Sequence, residues 1–512
     1  MHKAVSMILY FHGRVLNQER GQEMIFWTGI SVILHLVVMI HILRTKYMTP
    51  DCALMWLLAV VLLPFAGILC YAFFGITNID KAHRKRLAHQ SQIEHPEEHT
   101  DLSDRIAEAR TFWNQFPPDA QVAEAPRTQT LDRLFPDRPA VGGNRIELLL
   151  NGTEVYPRML EDIASAQHCI RLECFIIMND EVGKEILNAL ESRAACGVEV
   201  TVLFDSVGSA KAVLAHYWRH LFQRNRKFHI RAFSPLTLFM PWKFQLRNHR
   251  KLLVIDGRIA YSGGINIAAE NERLTKVPSS RYIHDLHCRI TGPAVSQFAL
   301  VFLRDWGYTT RRKPATFLTP YDLVEPERCG EATVRVIESG PGENLHGSMD
   351  LFTTAAAMAQ KSLTILTPYF VPGSEYINNL RMAAARGVDI RIIVPDHNNH
   401  KFVDWAAQSA DARLLAAGIR IFRKQGHFSH AKAFLVDQEW GMMGSSNCDS
   451  RSFKLNYELD FCFSEGKFIR DLQEQISREL AESIEVTMDD VNRKGVFRQM
   501  LESTCALMVP IL

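Results

Sequence analysis

The sequence predicts an α/β protein: two similar lobes in a pseudo-twofold tandem repeat, each a mixed, mostly parallel sheet flanked by helices, after an N-terminal transmembrane helix hairpin. Three observations predict this. Two uncharged apolar runs stand near the N-terminus, and the chain after residue 143 is written twice. Within each copy, short apolar runs alternate with longer helical patterns, as expected for parallel strands joined by crossover helices.

Residues 1–23 form a polar leader carrying Lys3, Arg14 and Arg20. Met24 to Leu43 contains no Asp, Glu, Lys or Arg, and Cys52 to Gly75 repeats that pattern around Pro64. Each run reaches the roughly 20 residues that cross a bilayer as helix. The short stretch Arg44 to Asp51 between them makes residues 24–75 a membrane hairpin. A cleaved signal peptide fits poorly, because the leader is long and no small-residue cleavage site follows. His35 and His41 are expected to face the partner helix or the interface. Lys81, Arg84, Lys85 and Arg86 follow the hairpin, whereas its loop holds only Arg44 and Lys46. Both flanks therefore favour the cytoplasmic side. The cluster at 81–86 suits a stop-transfer flank or contact with anionic headgroups, the latter at about 1 kcal/mol per charge. Residues 76–142 are this basic flank and a polar connector, with one short helix expected from Ser103 to Phe116.

The two lobes span 143–325 and 326–512. The first opens IELLLNGTEVYPRMLEDIASAQHCIRLECFII and runs to RAACGVEVTVLFD; the second opens VRVIESGPGENLHGSMDLFTTAAAMAQKSLTILTPYFV and runs to RMAAARGVDIRIIVPD. Each reads as strand, helix, strand, helix and a strand entered by Gly-Val. IRAF and IRIF continue the pattern as further strands.

A polar trio then recurs: His249, Lys251 and Asp256 in the first lobe, His430, Lys432 and Asp437 in the second. On a strand, residues two apart point to one face, so each histidine and lysine act together. The apolar runs that follow fit strands covered on both faces. Asp256-Gly257 turns into a second strand, and Asp437 does the same in the second copy. Both copies end in small residues, Gly263-Gly264 or Ser445-Ser446, ahead of Asn266 or Asn447; small residues let a ligand approach the backbone closely.

A neutral imidazole is a nucleophile, and a protonated one is an acid. A lysine ammonium suits the non-bridging oxygens of a phosphodiester, whose charge must be held during substitution at phosphorus; Asn266 and Asn447 are expected to bind the same oxygens. Two facing lobes supply a nucleophile on one side and an acid on the leaving-group side. Each histidine needs an acceptor to fix its tautomer. Aligning the lobes sets Asp285 opposite Glu458, and each carboxylate is expected to orient its own lobe's histidine. Asp256 and Asp437 stand past the strand, out of phase with the His–Lys face, so a supporting ion pair is expected of them rather than proton transfer.

Composition narrows the classes. A net charge of +2 offers no basic field for nucleic acid. The ten cysteines show neither a CxxC pair nor zinc-finger spacing, so neither a metal site nor a disulfide framework is expected.

These motifs resemble the double HKD signature of the phospholipase D superfamily. With the N-terminal hairpin, the chain resembles the bacterial cardiolipin synthases of that superfamily along nearly its whole length. The resemblance implies two phospholipase D-type lobes and a multi-pass protein of the bacterial inner membrane with its lobes on the cytoplasmic face. It implies a metal-free, cofactor-free ping-pong exchange. One phosphatidylglycerol is attacked, glycerol leaves, and a second phosphatidylglycerol captures the phosphatidyl group from a phosphatidyl-histidine. By analogy His249 is the nucleophile, and His430 is acid and then base. The first lobe departs from the usual pattern in having Gly263-Gly264 and an aspartate, Asp285. The alternatives are a hydrolytic phospholipase D, which shares every motif residue, and a catalytically silent membrane scaffold, against which both intact trios argue. Between Phe233 and His249 the first lobe also carries an insertion with Leu236, Leu238, Phe239, Met240 and Trp242. This segment is expected either to dip into the bilayer or wall the lipid entry, or to pack as core.

Overall fold

The computed structural model describes residues 26–46, 50–76, 79–94, 101–214, 226–234, 245–272, 282–311, 318–325, 327–342, 344–464 and 466–507. Residues 235–244 of the apolar insertion, the leader and residues 508–512 lie outside them. The described chain forms two compact units, residues 26–76 and residues 79–507.

In the N-terminal unit, the helix Phe26–Thr45 is long and apolar enough to cross a membrane. His41 does face the second run: its Nδ1 lies 2.8 Å from the Tyr71 hydroxyl. That second run is not the single span expected. It forms a helix Pro50–Leu62, a break at Leu63, a helix Pro64–Cys70 and a π turn Tyr71–Gly75. Pro64 explains the break, since a proline excludes the preceding residue from helical geometry. Leu63 accordingly sits at φ −125°, ψ 72°. Among the described residues one helix therefore has spanning length.

The second unit is built on one continuous sheet of fifteen strands. The first lobe contributes β1 (Val141–Leu150), β2 (Cys169–Cys174), β3 (Glu199–Asp205), β4 (Phe228–Phe233), β5 (Lys251–Ile255), β6 (Ile259–Gly263) and β7 (Leu286–Thr291). The second contributes β8 (Ala332–Ser339), β9 (Ser362–Leu366), β10 (Asp389–Pro395), β11 (Arg420–Lys424), β12 (Ala433–Val436), β13 (Trp440–Gly444) and β14 (Glu458–Ser464), with β15 (Ser483–Glu485) at the edge. From the joint outward, the first lobe runs β1-β7-β6-β5-β2-β3-β4 and the second β8-β14-β13-β12-β9-β10-β11. The orders are equivalent strand for strand. They meet where β1 pairs antiparallel with β8, Val141 opposite Val334, as a twofold axis between the lobes requires.

The α/β class and the duplication match expectation, but the balance of strand directions does not. In each lobe only β2-β3-β4, or β9-β10-β11, are parallel; the remaining neighbours are antiparallel. Connection length is the reason. The helices Glu181–Ala195 and Ser374–Ala385 allow parallel crossovers, while the tight turn at Asp256-Gly257 can only return the chain antiparallel. Gly197 and Gly387, at φ +95° and +91°, end those two helices in left-handed geometry and start β3 and β10.

The helix Val295–Thr310 is buried from Val295 to Gly307 beneath the joint, where Phe298 meets Phe461 of the other lobe edge-on. The connector is more ordered than its composition suggests. It forms helices Ile79–Glu94, Asp101–Asn114, Ala120–Glu124 and Pro126–Leu134, and Trp113 Nε1 donates to Ser296 Oγ at 2.7 Å. All ten cysteines are free thiols.

Candidate active site

Both His–Lys pairs stand at the start of their strands, β5 and β12, and the two lobes bring them into one buried site. In each lobe the lysine Nζ donates back to its histidine's carbonyl, Lys251 to His249 at 2.7 Å and Lys432 to His430 at 2.5 Å. The lysines are thereby fixed relative to the imidazoles by the backbone itself. Phe175 packs edge-on to His249 at 4.9 Å and sits 5.5 Å from Lys251 Nζ; Tyr369 and Phe428 pack against His430.

The carboxylates are exchanged between lobes. His249 Nδ1 donates to Glu458 Oε2 at 2.9 Å, and His430 Nδ1 donates to Asp285 Oδ2 at 2.7 Å. The expectation that each carboxylate serves its own lobe's histidine is therefore corrected. The backbone shows why. The residue before His249 bridges Tyr457, the residue before Glu458, and His249 N donates to Tyr457 O at 2.9 Å. Likewise Phe428–Ser429 pair in parallel with Ile283–His284, and His430 N donates to His284 O at 2.7 Å. Each histidine segment is thus zipped to the segment ahead of the other lobe's carboxylate.

With Nδ1 committed, Nε2 of each imidazole has no hydrogen-bond partner among the described residues and is the nitrogen left for chemistry. The two carboxylates are held differently. Glu458 accepts from Ser445 Oγ (2.5 Å), Ser452 Oγ (2.8 Å) and Asn456 Nδ2 (3.0 Å) besides His249. Asp285 accepts from Leu286 N at 2.8 Å, with Lys432 Nζ 3.9 Å away. Its shorter side chain keeps the carboxyl group near the backbone. A Cβ at Gly264 would lie 2.1 Å from Asp285 Oδ1, so the aspartate requires that glycine.

Burial dominates the electrostatics. Burial with the Lys432 charge pushes His430 down to about 3, and burial pushes Lys432 down to about 7. Burial also lowers His249 and Lys251, against the pull of Glu458. Burial opposes ionisation of both carboxylates, yet their partners prevail: Lys432 and the hydrogen-bonded His430 hold Asp285 below its ordinary value, and the hydrogen-bonded His249 with Lys251 does so for Glu458. The site therefore presents neutral imidazoles backed by ionised carboxylates, the state in which Nε2 is nucleophilic.

Asp256 and Asp437 are not in this site, and the expected supporting ion pair is corrected. Each follows a strand that leads away from its histidine. Asp256 accepts from the backbone N–H of Gln167, His168 and Cys169 at 2.7–2.8 Å, and Asp437 does the same for Gln360, Lys361 and Ser362. These bonds tie the turn to the entry of β2 or β9 and offset left-handed backbone, φ +50° and +52°. Asn266 and Asn447 are buried after β6 and β13, 7% and 6% exposed.

Sequence reasoning missed the groups that hold the site from behind. Arg250, between His249 and Lys251, donates through Nε to Glu458 O at 3.0 Å and through NH1 to Asp305. Asn248 donates to Glu173, a carboxyl that burial and the Asp305 charge drive well above its ordinary value. The available signal was charge inside a strand of apolar character, Arg171 and Glu173 in CIRLEC, which is buried throughout.

The sequence matches the family described as "Cardiolipin synthase, PLD-like domain" over residues 159–306 and 353–480. The chain belongs to this family. Residues 33–75 also match the family described as phospholipase D-nuclease N-terminal. Among curated relatives, cardiolipin synthase 1 of Staphylococcus epidermidis is 31% identical over 89% of this chain and 91% of its own. The cardiolipin synthase of Halalkalibacterium halodurans is 31% identical over 95% of each. A phosphatidylserine synthase crystal structure from Haemophilus influenzae superposes with a TM-score of 0.58 at 16% identity, over 75% of this chain and 99% of that one. That likeness is one of fold. The family matches divide where the sheet does, each segment of the PLD-like domain carrying one His–Lys pair.

Proposed function

We propose that this membrane-associated phosphatidyltransferase makes cardiolipin by phosphatidyl transfer between two phosphatidylglycerol molecules, releasing glycerol. The observation that carries the reading is the pair of imidazoles whose Nδ1 atoms are both committed to ionised carboxylates, leaving two Nε2 atoms and two lysines for one phosphodiester. In the first half-reaction His249 Nε2 attacks phosphorus. The P–O bond to the terminal glycerol breaks, and that oxygen takes the proton of His430. In the second, neutral His430 removes the terminal hydroxyl proton of another phosphatidylglycerol. Its oxygen attacks phosphorus, the P–N bond breaks, and His249 is restored.

The acid must first be protonated, and the substrate supplies the means. A phosphodiester anion about 4 Å from His430 is worth about 4 kcal/mol at an effective dielectric of 20, or about three pKa units. That raises His430 from the low value that burial and Lys432 impose toward the working range of an acid–base catalyst. Lys251, Lys432, Asn266 and Asn447 hold the non-bridging oxygens. The intermediate is protected from water by the burial of the site; leakage would yield phosphatidic acid. The apolar helix Phe26–Thr45, of spanning length, supports an anchor in the inner membrane. The second apolar run, broken at Leu63, makes the protein multi-pass by crossing in two pieces, with the lobes on the cytoplasmic face that the basic flanks favour.

The test is reconstitution in phosphatidylglycerol vesicles without added metal or nucleotide, with cardiolipin, glycerol and phosphatidic acid quantified. Cardiolipin and glycerol in equal amounts are expected. Phosphatidic acid as the main product would make the protein a hydrolase.

A further inference from the structure

The basic cluster after the N-terminal unit divides by burial. On the helix Ile79–Glu94, Arg84 and Lys85 are exposed, whereas Arg86 is only 2% exposed. Its guanidinium donates from NH2 to Asp305 Oδ1, and the other oxygen of that carboxylate accepts from Arg250 NH1. The same guanidinium lies 4.9 Å from the Tyr457 ring centroid and 5.3 Å from that of Tyr308. These neighbours frame the active site. Arg250 separates His249 from Lys251 and holds the Glu458 and Ser339 carbonyls; Tyr457 precedes Glu458 and accepts the His249 backbone N–H. Arg86 thus touches both arms that set the distance from His249 to its carboxylate: Asp305–Arg250 on one side, the Tyr457 ring on the other.

The chemistry of that position is demanding. A buried carboxylate shared by two guanidinium groups is balanced, and removing one leaves charge uncompensated where desolvation is costly. Among the described residues Arg250 then becomes the one cation paired with Asp305, and its other bonds, to the Glu458 and Ser339 carbonyls, must shift with it.

We infer that Arg86 is a positioning residue for phosphatidyl transfer: the helix leading from the N-terminal unit, docked through Arg86, sets the register between His249 and Glu458. This rests on the assignment of His249 to the site proposed above. Full-length R86M, which keeps side-chain volume, and R86A are compared with wild type and H249A in phosphatidylglycerol vesicles. The expected result is a kcat about 100-fold lower with KM within about twofold, since roughly 1 Å of misplacement costs that much. In R86A, millimolar guanidinium ion is expected to restore turnover at least about tenfold, a response that a general loss of stability does not produce. Wild-type kcat in R86M overturns the inference, as does lost turnover in folded R86A that guanidinium leaves unchanged. If R86A does not accumulate, R86M decides: a lowered kcat with KM retained supports the inference, and wild-type kcat overturns it. H249A judges the underlying assignment separately: abolished transfer keeps it and wild-type transfer removes it, whatever the Arg86 variants do.

Discussion

Gly264→Ala tests the exchanged carboxylates with a single methyl group. The added Cβ would sit 2.1 Å from Asp285 Oδ1 and 2.6 Å from its Cγ and Oδ2. Ordinary contact needs about 3.4 Å or more, so the carboxyl group must retreat by roughly 1 Å. The hydrogen bond to His430 Nδ1, 2.7 Å in the native site, is then lost. A hydrogen bond to a charged group is worth about 1.5–3 kcal/mol, so kcat is expected to fall about 10- to 150-fold, with KM little changed. Gly264 belongs to the first lobe, and the histidine that suffers belongs to the second. The second lobe shows how to repair the damage, for there a serine and a glutamate occupy the equivalent places, Ser445 donating to Glu458. Glycerol release and cardiolipin formation are measured for G264A, G264S, D285E and the double variant G264S/D285E, with melting temperature as the check on folding. The double variant is expected to recover much of the loss of its parents, giving a coupling energy outside simple additivity. Wild-type turnover in G264A, or a double variant no better than the worse single one, refutes the reasoning.

Glu458→Gln is expected to slow formation of the phosphatidyl-histidine on His249, while Asp285→Asn is expected to slow both its formation and its discharge, because His430 is acid in one step and base in the other. Time-resolved acid-quench mass spectrometry of the trapped intermediate distinguishes the two, and the opposite pattern contradicts the exchange. Asp437→Ala removes the acceptor for three backbone N–H groups far from the histidines, so stability is expected to drop by about 2–4 kcal/mol with kcat per folded molecule retained. A urea melt alongside turnover checks it, and a catalytic defect in fully folded protein contradicts it. Asp460 is held by Ser446 and Ser348 and pushed by burial up to about 7. A carboxyl raised in the folded state contributes stability present below its unfolded pKa and lost as pH rises through about 7. The advantage of D460N over wild type in melting temperature is therefore expected to grow from pH 4 to pH 7, and a constant difference refutes it. His430 and His287, both pushed by burial to about 3, act in the opposite sense: their contribution is present above about pH 6.5 and lost as pH falls. D460N should leave that acid limb in place.

Much of the fold was legible because it was written twice. The Gly-Val strand entries, the crossover helices and the hairpin after Ile255 each appear in both copies, so a local pattern that is ambiguous once becomes definite. The histidines and lysines were legible for the same reason. What stayed hidden depended on contacts between copies or on distant sequence. Alignment shows that Asp285 and Glu458 are equivalent, but equivalent residues of a twofold repeat are placed alike relative to the axis, and this says nothing of which lobe each one reaches. Asp256 and Asp437 recur as faithfully as the histidines, yet recurrence reports a shared local requirement, here a tight left-handed turn capped by three N–H groups. Arg86 read as a flanking charge, because its partners Asp305 and Tyr457 are 219 and about 370 residues away and nothing local marks it as buried.

The exchange has a consequence for the asymmetry between the lobes. The histidine in each lobe is tuned by residues of the other, so the differences that make the lobes unlike act across the interface. Gly264 and Asp285, first-lobe residues, give second-lobe His430 a close carboxylate with Lys432 Nζ only 2.8 Å from the same nitrogen. Ser445, Ser452 and Asn456, second-lobe residues, surround the carboxylate of first-lobe His249 with donors and spread its charge. A carboxylate already satisfied by three other donors stabilises an imidazolium less than one with fewer claims on it. Both imidazoles are nonetheless held neutral, His430 down at about 3 by burial and the Lys432 charge beside its Nδ1. An anion that pairs with Lys432 removes part of that opposition and lets His430 gain a proton. The division of labour between nucleophile and acid therefore rests on the Lys432 charge together with the carboxylate environments, and exchanging Asp285 and Glu458 together with Gly264 and Ser445 tests the carboxylates' share.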